Sequence, residues 1–250
     1  MDATNFITAC DSSAQAFKTA TLLKTLNVNA LILGEIGVGK KCIAKYILPD
    51  APIIDASEYN EILSTLESVN EIIIINLENS PNIKKMISMI NSNAVRIIAT
   101  AKNSFTNEYI DDIFSVKFDI PPLRKRGEDV DELVKKFVKE ASALFSSSIE
   151  FNSENFIPDL SQNARSLKRQ VMIHSLLGDI KDAELMEIIE NFLLDKLGSQ
   201  SDYRNFLYLY EAPLIKAGLT RFKSQLQLAD RLGLNRNTLR KKIADNKDYL

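Results

Sequence analysis

The stretch that decides the fold is "NALILGEIGVGKKCIAKYIL", residues 29–48. It begins with the apolar run "ALIL", continues with a glycine-rich segment and ends in a stretch with helical spacing. A short apolar run followed by glycines and then by a helical pattern predicts a buried strand, a loop and a helix.

The glycine-rich segment "GEIGVGKK" fits the pattern G-x-x-x-x-G-K, from Gly34 to Lys40. Glycines let successive backbone N–H groups turn inward around a phosphate, and the lysine and the N-terminus of the next helix add positive charge. The predicted strand and helix on either side are the context that this pattern requires, so we predict a phosphate-binding loop. Lys41 stands where many such loops carry a hydroxyl that holds magnesium.

Short runs rich in isoleucine and valine alternate with helical stretches through the first half of the chain. Continuous apolar strands separated by helices are typical of a parallel sheet that is covered on both faces. The predicted strands are residues 30–34, 52–56, 71–76, 95–101 and 115–120.

The pattern changes to amphipathic helix after the double proline Pro121–Pro122. In the first of these helices, five apolar residues share one face: Val130, Leu133, Val134, Phe137 and Val138. The chain is therefore predicted to be an α/β core over residues 1–121, an all-α lid over 122–198 and a C-terminal all-α domain over 199–250.

The net charge of −2 hides an asymmetry between the tail and the rest of the 250-residue chain. Residues 204–250 contain ten Lys or Arg and four Asp or Glu, which leaves 21 basic and 29 acidic residues elsewhere. A basic tail on an acidic body indicates that the tail meets a polyanion.

No apolar run approaches the roughly 18–20 residues of a membrane span, so we predict no membrane contact. The first 13 residues lack the basic and apolar regions of a secretory signal, and the two cysteines and one histidine have no zinc-like spacing. We therefore expect a cytoplasmic protein. Because the loop begins at residue 34, we also expect no sensor domain before it.

The tail segment "QLQLADRLGLNRNTLRKKI" has the pattern of a helix, a turn and a helix. Ala229 is small enough for a close helix crossing, and Gly233 tolerates the positive φ of the turn. We expect the small core of this module to contain Leu226, Leu232, Leu239 and Ile243.

The second helix of this module would lie in the major groove of double-stranded DNA. Asn235 is expected to cap that helix. The alternative is a three-helix bundle whose basic face only contacts solvent. The predicted DNA-binding residues are Arg221, Lys223, Asn235, Arg236, Asn237, Thr238, Arg240 and Lys241.

Three further stretches carry a resemblance to a known family: "IPPLRKRGEDV" (120–130), "QNARSLKRQV" (162–171) and "EAPLIKAGLTRFKSQLQLADRLGLNRNTLRKKI" (211–243). With the loop, they resemble the NtrC-type sigma-54-dependent transcription activators. That resemblance implies an AAA+ domain that binds ATP or ADP, a helical lid and a Fis-type helix-turn-helix. The nucleotide-binding residues that it implies are Gly34, Glu35, Gly37, Val38, Gly39, Lys40, Lys41 and the lid arginine Arg165.

The sequence departs from this family at the positions that serve hydrolysis and the polymerase. The G-A-F-T-G-A loop that touches sigma-54 is absent from the sequence. Asn76 and Leu77 stand in place of the Asp-Glu pair, and the positions of the finger arginines are Thr106 and Asp112. Neutral Asn76 holds a dication poorly, so we assign no metal site and leave the use of Mg open. Glu78 is the one candidate for a catalytic role.

Three functions remain open at this point. The first is a DNA-binding transcription regulator whose AAA+ domain binds nucleotide without hydrolysing it. The second is a working sigma-54-type ATPase in which Glu78 replaces the lost acidic pair. The third is an interaction protein that co-assembles with an active relative. The resemblance implies pairing with a second copy through the C-terminal domain and leaves open a contact with RNA polymerase. It also implies a ring of AAA+ domains, but the loss of the finger arginines makes a ring doubtful.

Overall fold

The structure is a computed structural model that describes residues 6–145, 156–178 and 180–250. The chain divides into two compact units, and the division lies between residues 180 and 181. Among the described residues, no helix combines the length and the hydropathy that a membrane crossing needs.

The first unit contains a five-stranded sheet and seven described α-helices. Its elements are α1 (Asp11–Thr25), β1 (Ala30–Leu33), α2 (Lys40–Ile47), β2 (Ile53–Asp55), α3 (Tyr59–Leu66), β3 (Glu71–Ile75), α4 (Ile83–Ser92), β4 (Arg96–Ala101), α5 (Ile110–Ile113), β5 (Val116–Asp119), α6 (Gly127–Phe145) and α7 (Ala164–Leu177). The second unit is helical. Its described elements are α8 (Asp182–Leu194), α9 (Asp202–Phe206), α10 (Tyr208–Phe222), α11 (Gln225–Arg231) and α12 (Arg236–Asp245).

The five strands form one parallel sheet in the order β2-β3-β4-β1-β5. In the inner strand β3, the three isoleucines at 72–74 are all fully buried, as expected for a sheet that is covered on both faces. Leu33 at the end of β1 pairs with Ala101 of β4 on one side and with Asp119 of β5 on the other. The α/β fold class predicted from the sequence is confirmed.

Helices cover the two faces of the sheet, and each face has its own apolar core. Ala20 and Leu23 of α1 and Ile43 and Ile47 of α2 pack in one core. Helices α3, α4 and α5 pack in the other core, which takes its members from the opposite face of the same strands. Alternate residues of a strand point to opposite faces, so each central strand contributes to both cores.

Helices α6 and α7 pack against each other beside the sheet. Leu133 and Phe137 of α6 meet Leu167 and Val171 of α7 in a separate apolar cluster. The predicted apolar face of α6 is confirmed, since all five of its members lie in or against this cluster. Helix α8 falls in the second unit although the lid was predicted to extend to residue 198. The boundaries between core, lid and tail stay a proposal.

The second unit has a small core made by α10, α11 and α12. Its buried members are Ile215, Leu228, Ala229 and Leu239, and Leu232 and Ile243 pack against them. The prediction that Leu226 belongs to this core is wrong, because its side chain is 65% exposed. Leu228 and Ala229 define the inner face of α11, and Leu226 lies about 200° from Leu228 around the helix, since each residue turns about 100°.

Candidate functional site

The predicted phosphate-binding loop connects β1 to α2, as the sequence indicated. Two of its glycines, Gly37 and Gly39, have φ values of +80° and +106°, which side chains other than glycine rarely adopt. A Cβ atom at Gly39 would lie 2.8 Å from the ring of Phe6. The loop therefore needs glycine both for its backbone conformation and for the close approach of its neighbours.

Three consecutive carbonyl groups of the loop accept hydrogen bonds from residues far along the chain. Asn163 Nδ2 donates to the Ile36 carbonyl (2.9 Å), the Ala164 N–H to that of Gly37 (3.2 Å), and Arg126 Nη2 to that of Val38 (3.1 Å). Because a trans peptide group is planar, the N–H on the other side of each peptide points away from these donors. The loop thus directs successive N–H groups to one side, as the wrapping of a phosphate requires.

Glu35, the second residue of the loop, is held by an ion pair and an amide. Arg124 donates to both carboxylate oxygens, at 2.8 and 2.5 Å, and Asn163 Nδ2 donates at 3.2 Å. These hydrogen bonds favour the ionised form and lower the pKa of Glu35 to about 2, so the contact stays charged near neutral pH. Asn163 is buried at a positive φ of 54°, and its Oδ1 accepts from the N–H of Leu123 (2.7 Å).

A buried ion pair also supports the loop, because its arginine, Arg126, donates to the Val38 carbonyl. Arg126 Nη1 donates to Asp129 Oδ2 at 3.0 Å, and both side chains are almost completely buried. Asp129 Oδ1 also accepts from the N–H of Cys10 at 2.9 Å, and the Arg126 guanidinium lies 5.6 Å from the centre of the Phe6 ring. Burial lowers the pKa of Arg126, and the carboxylate of Asp129 opposes that shift.

A cavity of about 430 Å³ lies against the loop, within the first unit. Residues 35–41 line one side of it, and Arg165 of α7 lines another. Phe6, Leu133 and Phe137 make part of its wall apolar. A pocket with an apolar wall beside a glycine-rich loop suits a ligand with a flat apolar part and an anionic part.

The predicted nucleotide-binding residues come together at this cavity. Seven of the eight line it, and the Gly34 carbonyl accepts a hydrogen bond from Lys40 Nζ. Lys40 Nζ also donates to the Glu35 carbonyl at 2.9 Å. Burial lowers the pKa of Lys40, because a desolvated ammonium group favours its neutral form.

The carboxyl edge of β3 differs from what a magnesium site needs. Asn76 has a φ of 56° and donates its side-chain amide to Asp55 Oδ2 at 2.6 Å. Leu77 is buried in the core on one face of the sheet. Glu78 is paired with Lys102, whose Nζ lies 3.7 Å from Glu78 Oε1.

These residues do not fit a bound magnesium ion. The Asp55 carboxylate accepts the Asn76 amide on one oxygen and the N–H and hydroxyl of Ser57 on the other, and the hydroxyl position of the loop is Lys41. Mg²⁺ needs oxygen ligands in near-octahedral geometry. Across residues 6–145, 156–178 and 180–250, no cluster of three His, Cys, Asp or Glu side chains is placed to hold a metal.

The helix-turn-helix geometry in the second unit follows the sequence prediction. Gly233 has a φ of +64°, and the α12 N-cap Asn235 accepts the N–H of Thr238 at 2.8 Å through its Oδ1. A Cβ atom at Gly218 of α10 would lie 2.3 Å from Leu228 Cδ1, so glycine allows α10 and α11 to approach closely. The expected cap and turn are both confirmed.

The predicted DNA-binding side chains are at the surface of this module. Arg236, Asn237, Arg240 and Lys241 are exposed on α12, whereas Thr238 is half-buried. Arg221 and Lys223 are exposed at the end of α10. Lys242, which was not predicted, pairs with Glu211 of α10 and so braces the two helices.

Sequence reasoning missed several residues that hold the loop. They are Phe6, Arg124, Arg126, Asp129 and Asn163. Four of these five lie inside the stretches 120–130 and 162–171, which carried the family resemblance. The signal was therefore present, but no pattern in those stretches indicates that their partner is the loop.

Comparison with known proteins adds a family match and several relatives. Residues 207–245 match the family described as "Bacterial regulatory protein, Fis family". The DNA-binding transcriptional regulator NtrC of Rhizobium meliloti (strain 1021) is 29% identical, over 50% of this chain and 34% of that protein. The chain thus spans about a third of the length of the curated relatives it matches.

Two crystal structures of NtrX from Brucella abortus have a similar fold. The complex with ADP has a TM-score of 0.59 and 17% identity, and covers 98% of this chain and 70% of the NtrX chain. The complex with ATP has a TM-score of 0.60 and 16% identity, with coverages of 97% and 69%. The chain is similar to the NtrC-type regulators. The resemblance predicted from the sequence is therefore confirmed, and the chain shares its fold with these NtrX structures.

Proposed function

We propose that this protein is a DNA-binding transcription regulator with an AAA+ domain that binds nucleotide and does not hydrolyse it. The observation that carries the proposal is the helix α12, which presents exposed basic and amide side chains inside the stretch that matches the Fis family. Such a helix fits the major groove, with its N-terminal side chains on base edges and others on phosphates.

The proposal for the nucleotide rests on the loop and its cavity. Its N–H groups, Lys40 and the N-terminus of α2 offer the donors that a di- or triphosphate needs. The similar NtrX structures were solved with ADP and with ATP. Hydrolysis would need a carboxylate that activates water, and the residue after Asn76 is the buried Leu77.

The proposed regulator does not use the family's contact with sigma-54. Between β2 and β3 the chain forms only α3 and its flanking turns, with no extended loop. We infer that regulation by this protein acts through DNA occupancy and its response to nucleotide, and not through remodelling of the polymerase.

The exposed face of α8 supports pairing with a second copy of the chain. No residue of α8 is buried, and Leu185, Ile188, Ile189 and Phe192 form a stripe at helical spacing. Met186 is 70% exposed. Large apolar side chains in such number on one surface helix are typical of an interface, and a paired module would present two copies of α12 to two half-sites.

DNA binding is tested by the double variant Arg240→Ala/Lys241→Ala against a random-sequence duplex pool, with fluorescence anisotropy at several salt concentrations. Loss of two phosphate contacts is expected to weaken binding about tenfold or more and to reduce the salt slope by about 2. The charge-matched control is Lys135→Ala/Lys139→Ala on α6, which should bind as the wild type does. Equal losses in both double variants would contradict the assignment of α12.

Pairing of two copies of the chain is tested by sedimentation of the wild-type complex, which should show two chains per duplex.

Nucleotide binding is tested by calorimetric titration of ATP, with phosphate release measured on the same samples. Lys40→Ala should weaken binding by about 10–100-fold, because it removes a charge-assisted hydrogen bond to the phosphates. Lys18→Ala on α1 removes the same charge at an exposed site and should have no effect. Phosphate release should stay at background in all three proteins. Sustained release that Lys40→Ala abolishes would instead support the ATPase function and direct attention to Glu78.

A further inference from the structure

The cavity beside the loop is strongly basic. Its lining includes two acidic side chains, Glu35 and Glu140. The basic side chains in the lining number six: Lys40, Lys41, Arg126, Lys136, Arg165 and Lys168. Arg126 pairs with Asp129 and Lys168 with Glu140, which offsets part of this positive charge. The lining remains an environment for a ligand of high negative charge.

A further lysine, Lys102, lies at the same edge of the sheet. It follows β4 directly, and the Ala101 carbonyl accepts the N–H of Gly34 at 3.2 Å. Lys102 is thus the lateral neighbour of the first residue of the loop. Glu78 holds it there, with one carboxylate oxygen 3.7 Å from the ammonium group and the other 3.4 Å from the backbone N–H.

Lys102 is next to Ala101, whose carbonyl accepts the N–H of the first loop residue, so the charges of Lys40 and Lys102 belong to one edge of the sheet. Burial is the main cause of the lowered pKa of Lys40; Glu78 opposes that shift, and the positive charge of Lys102 adds to it. Two like charges in one neighbourhood repel each other; Glu78 offsets part of that repulsion, and a bound anion would offset more of it. A polyphosphate would supply that anion.

We propose that the site takes its nucleoside di- or triphosphate as the metal-free anion, with Lys102 in the place that a divalent cation would otherwise have beside the outer phosphates. This inference rests on the proposed nucleotide binding. The edge of β3 lacks free oxygen ligands for Mg²⁺, since Asn76 is engaged with Asp55. Lys40 in the cavity lining and Lys102 at the adjacent end of β4 supply positive charge instead. Glu78 then acts as the positioning residue of Lys102 and not as a base.

The proposal predicts that the site does not prefer magnesium-bound ATP over metal-free ATP. Complexation with Mg²⁺ removes two negative charges from ATP, and these are the charges that Lys40 and Lys102 would contact. The site is therefore expected to bind free ATP at least as tightly as MgATP, whereas a site with a metal-binding carboxylate needs the ion.

The test is a calorimetric titration of ATP and of ADP into the full chain, once with EDTA and once with excess MgCl₂. We expect binding in EDTA to equal or exceed binding in MgCl₂. Lys102→Met should weaken the metal-free affinity about tenfold, which is the size expected for one charge-assisted contact. Lys135→Met, which removes an exposed charge on α6, is the matched control and should bind as the wild type does.

A second test uses a variant that is designed to gain a site for a divalent cation. Asn76→Asp would place a second carboxylate beside Asp55, and a divalent cation would relieve the repulsion between them. Binding by this variant should become tighter when MgCl₂ replaces EDTA.

The outcomes separate the two proposals. Saturable binding that requires MgCl₂ would overturn the metal-free site and leave the nucleotide-binding function intact. Binding in neither buffer would overturn both. An unchanged metal-free affinity in Lys102→Met would remove Lys102 from the site.

Discussion

Replacing Asp129 by alanine is expected to lower the free energy of unfolding of the first unit by about 3–5 kcal/mol. The Asp129 carboxylate is fully buried, pairs with Arg126 at 3.0 Å and accepts the Cys10 N–H at 2.9 Å. Its removal leaves a buried guanidinium without a counter-charge, and desolvation of that charge is then uncompensated. Urea denaturation followed by circular dichroism measures the loss.

The control for this experiment lies two residues further along the same helix. Asp131 is exposed, so Asp131→Ala removes the same charge from the first turns of α6 without leaving a buried partner. Its effect should stay within about 0.5 kcal/mol. The double variant Arg126→Met/Asp129→Leu should be more stable than Asp129→Ala alone, because both charges are gone. Similar losses from Asp129→Ala and Asp131→Ala would show that the pair is not the support of the loop that we infer.

The second large effect is expected from Gly37→Ala in the loop. A Cβ atom at this position would lie 2.1 Å from the Gln162 carbonyl oxygen, which is backbone and has little room to move. The φ of +80° adds the strain of a left-handed conformation. Together these should destabilise the first unit by about 2–5 kcal/mol and loosen the start of α7, where Ala164 donates to the Gly37 carbonyl.

Gly127→Ala is the matched control, because it adds the same methyl group at the start of α6. Apart from the adjacent residues and the backbone of α6 itself, no atom of the described residues lies within 4 Å of a Cβ there. The change should therefore be neutral or should stabilise the protein by up to about 1 kcal/mol. Hydrogen exchange should show faster opening of the first turn of α7 in Gly37→Ala only. If the two variants unfold at the same urea concentration, the loop is not clamped by the Gln162 backbone.

Asp129→Ala and Gly37→Ala both act on the contact that the loop makes with residues after the sheet and with the lid. The three loop carbonyls at 36–38 are held by Asn163, Ala164 and Arg126. A nucleotide that binds the N–H side of this loop therefore acts on a segment whose other side is attached to the lid.

Much of the architecture could be predicted because its signals are local. Isoleucine-rich runs such as 71–76 have the composition of buried strands, and the alternation with helices indicates a parallel sheet. The glycine spacing from Gly34 to Gly39 predicts the loop. The position of Asn235 just before a helical stretch predicts a helix cap. Both signals depend only on residues within a few positions of each other.

The position of Leu226 could not be predicted with the same success. The spacing of apolar residues at 226, 228 and 232 allows more than one inner face for a helix as short as α11. Packing against Gly218 of α10 selects Leu228, which leaves Leu226 at the surface. A choice between two apolar faces is made by the partner helix and not by the helix itself.

The amino-acid sequence alone thus determined the order of strands and helices, the glycine-rich loop, the capped helix-turn-helix and the presence of Asn76 and Leu77 where relatives of this type carry an acidic pair. Only the tertiary structure decided what holds the loop and how Asn76 is engaged with Asp55. Arg124 reaches Glu35 across 89 residues, and Asn163 reaches it across 128. Contacts over such separations leave no periodicity in the sequence, because they arise when packed elements bring distant side chains to one edge of a sheet.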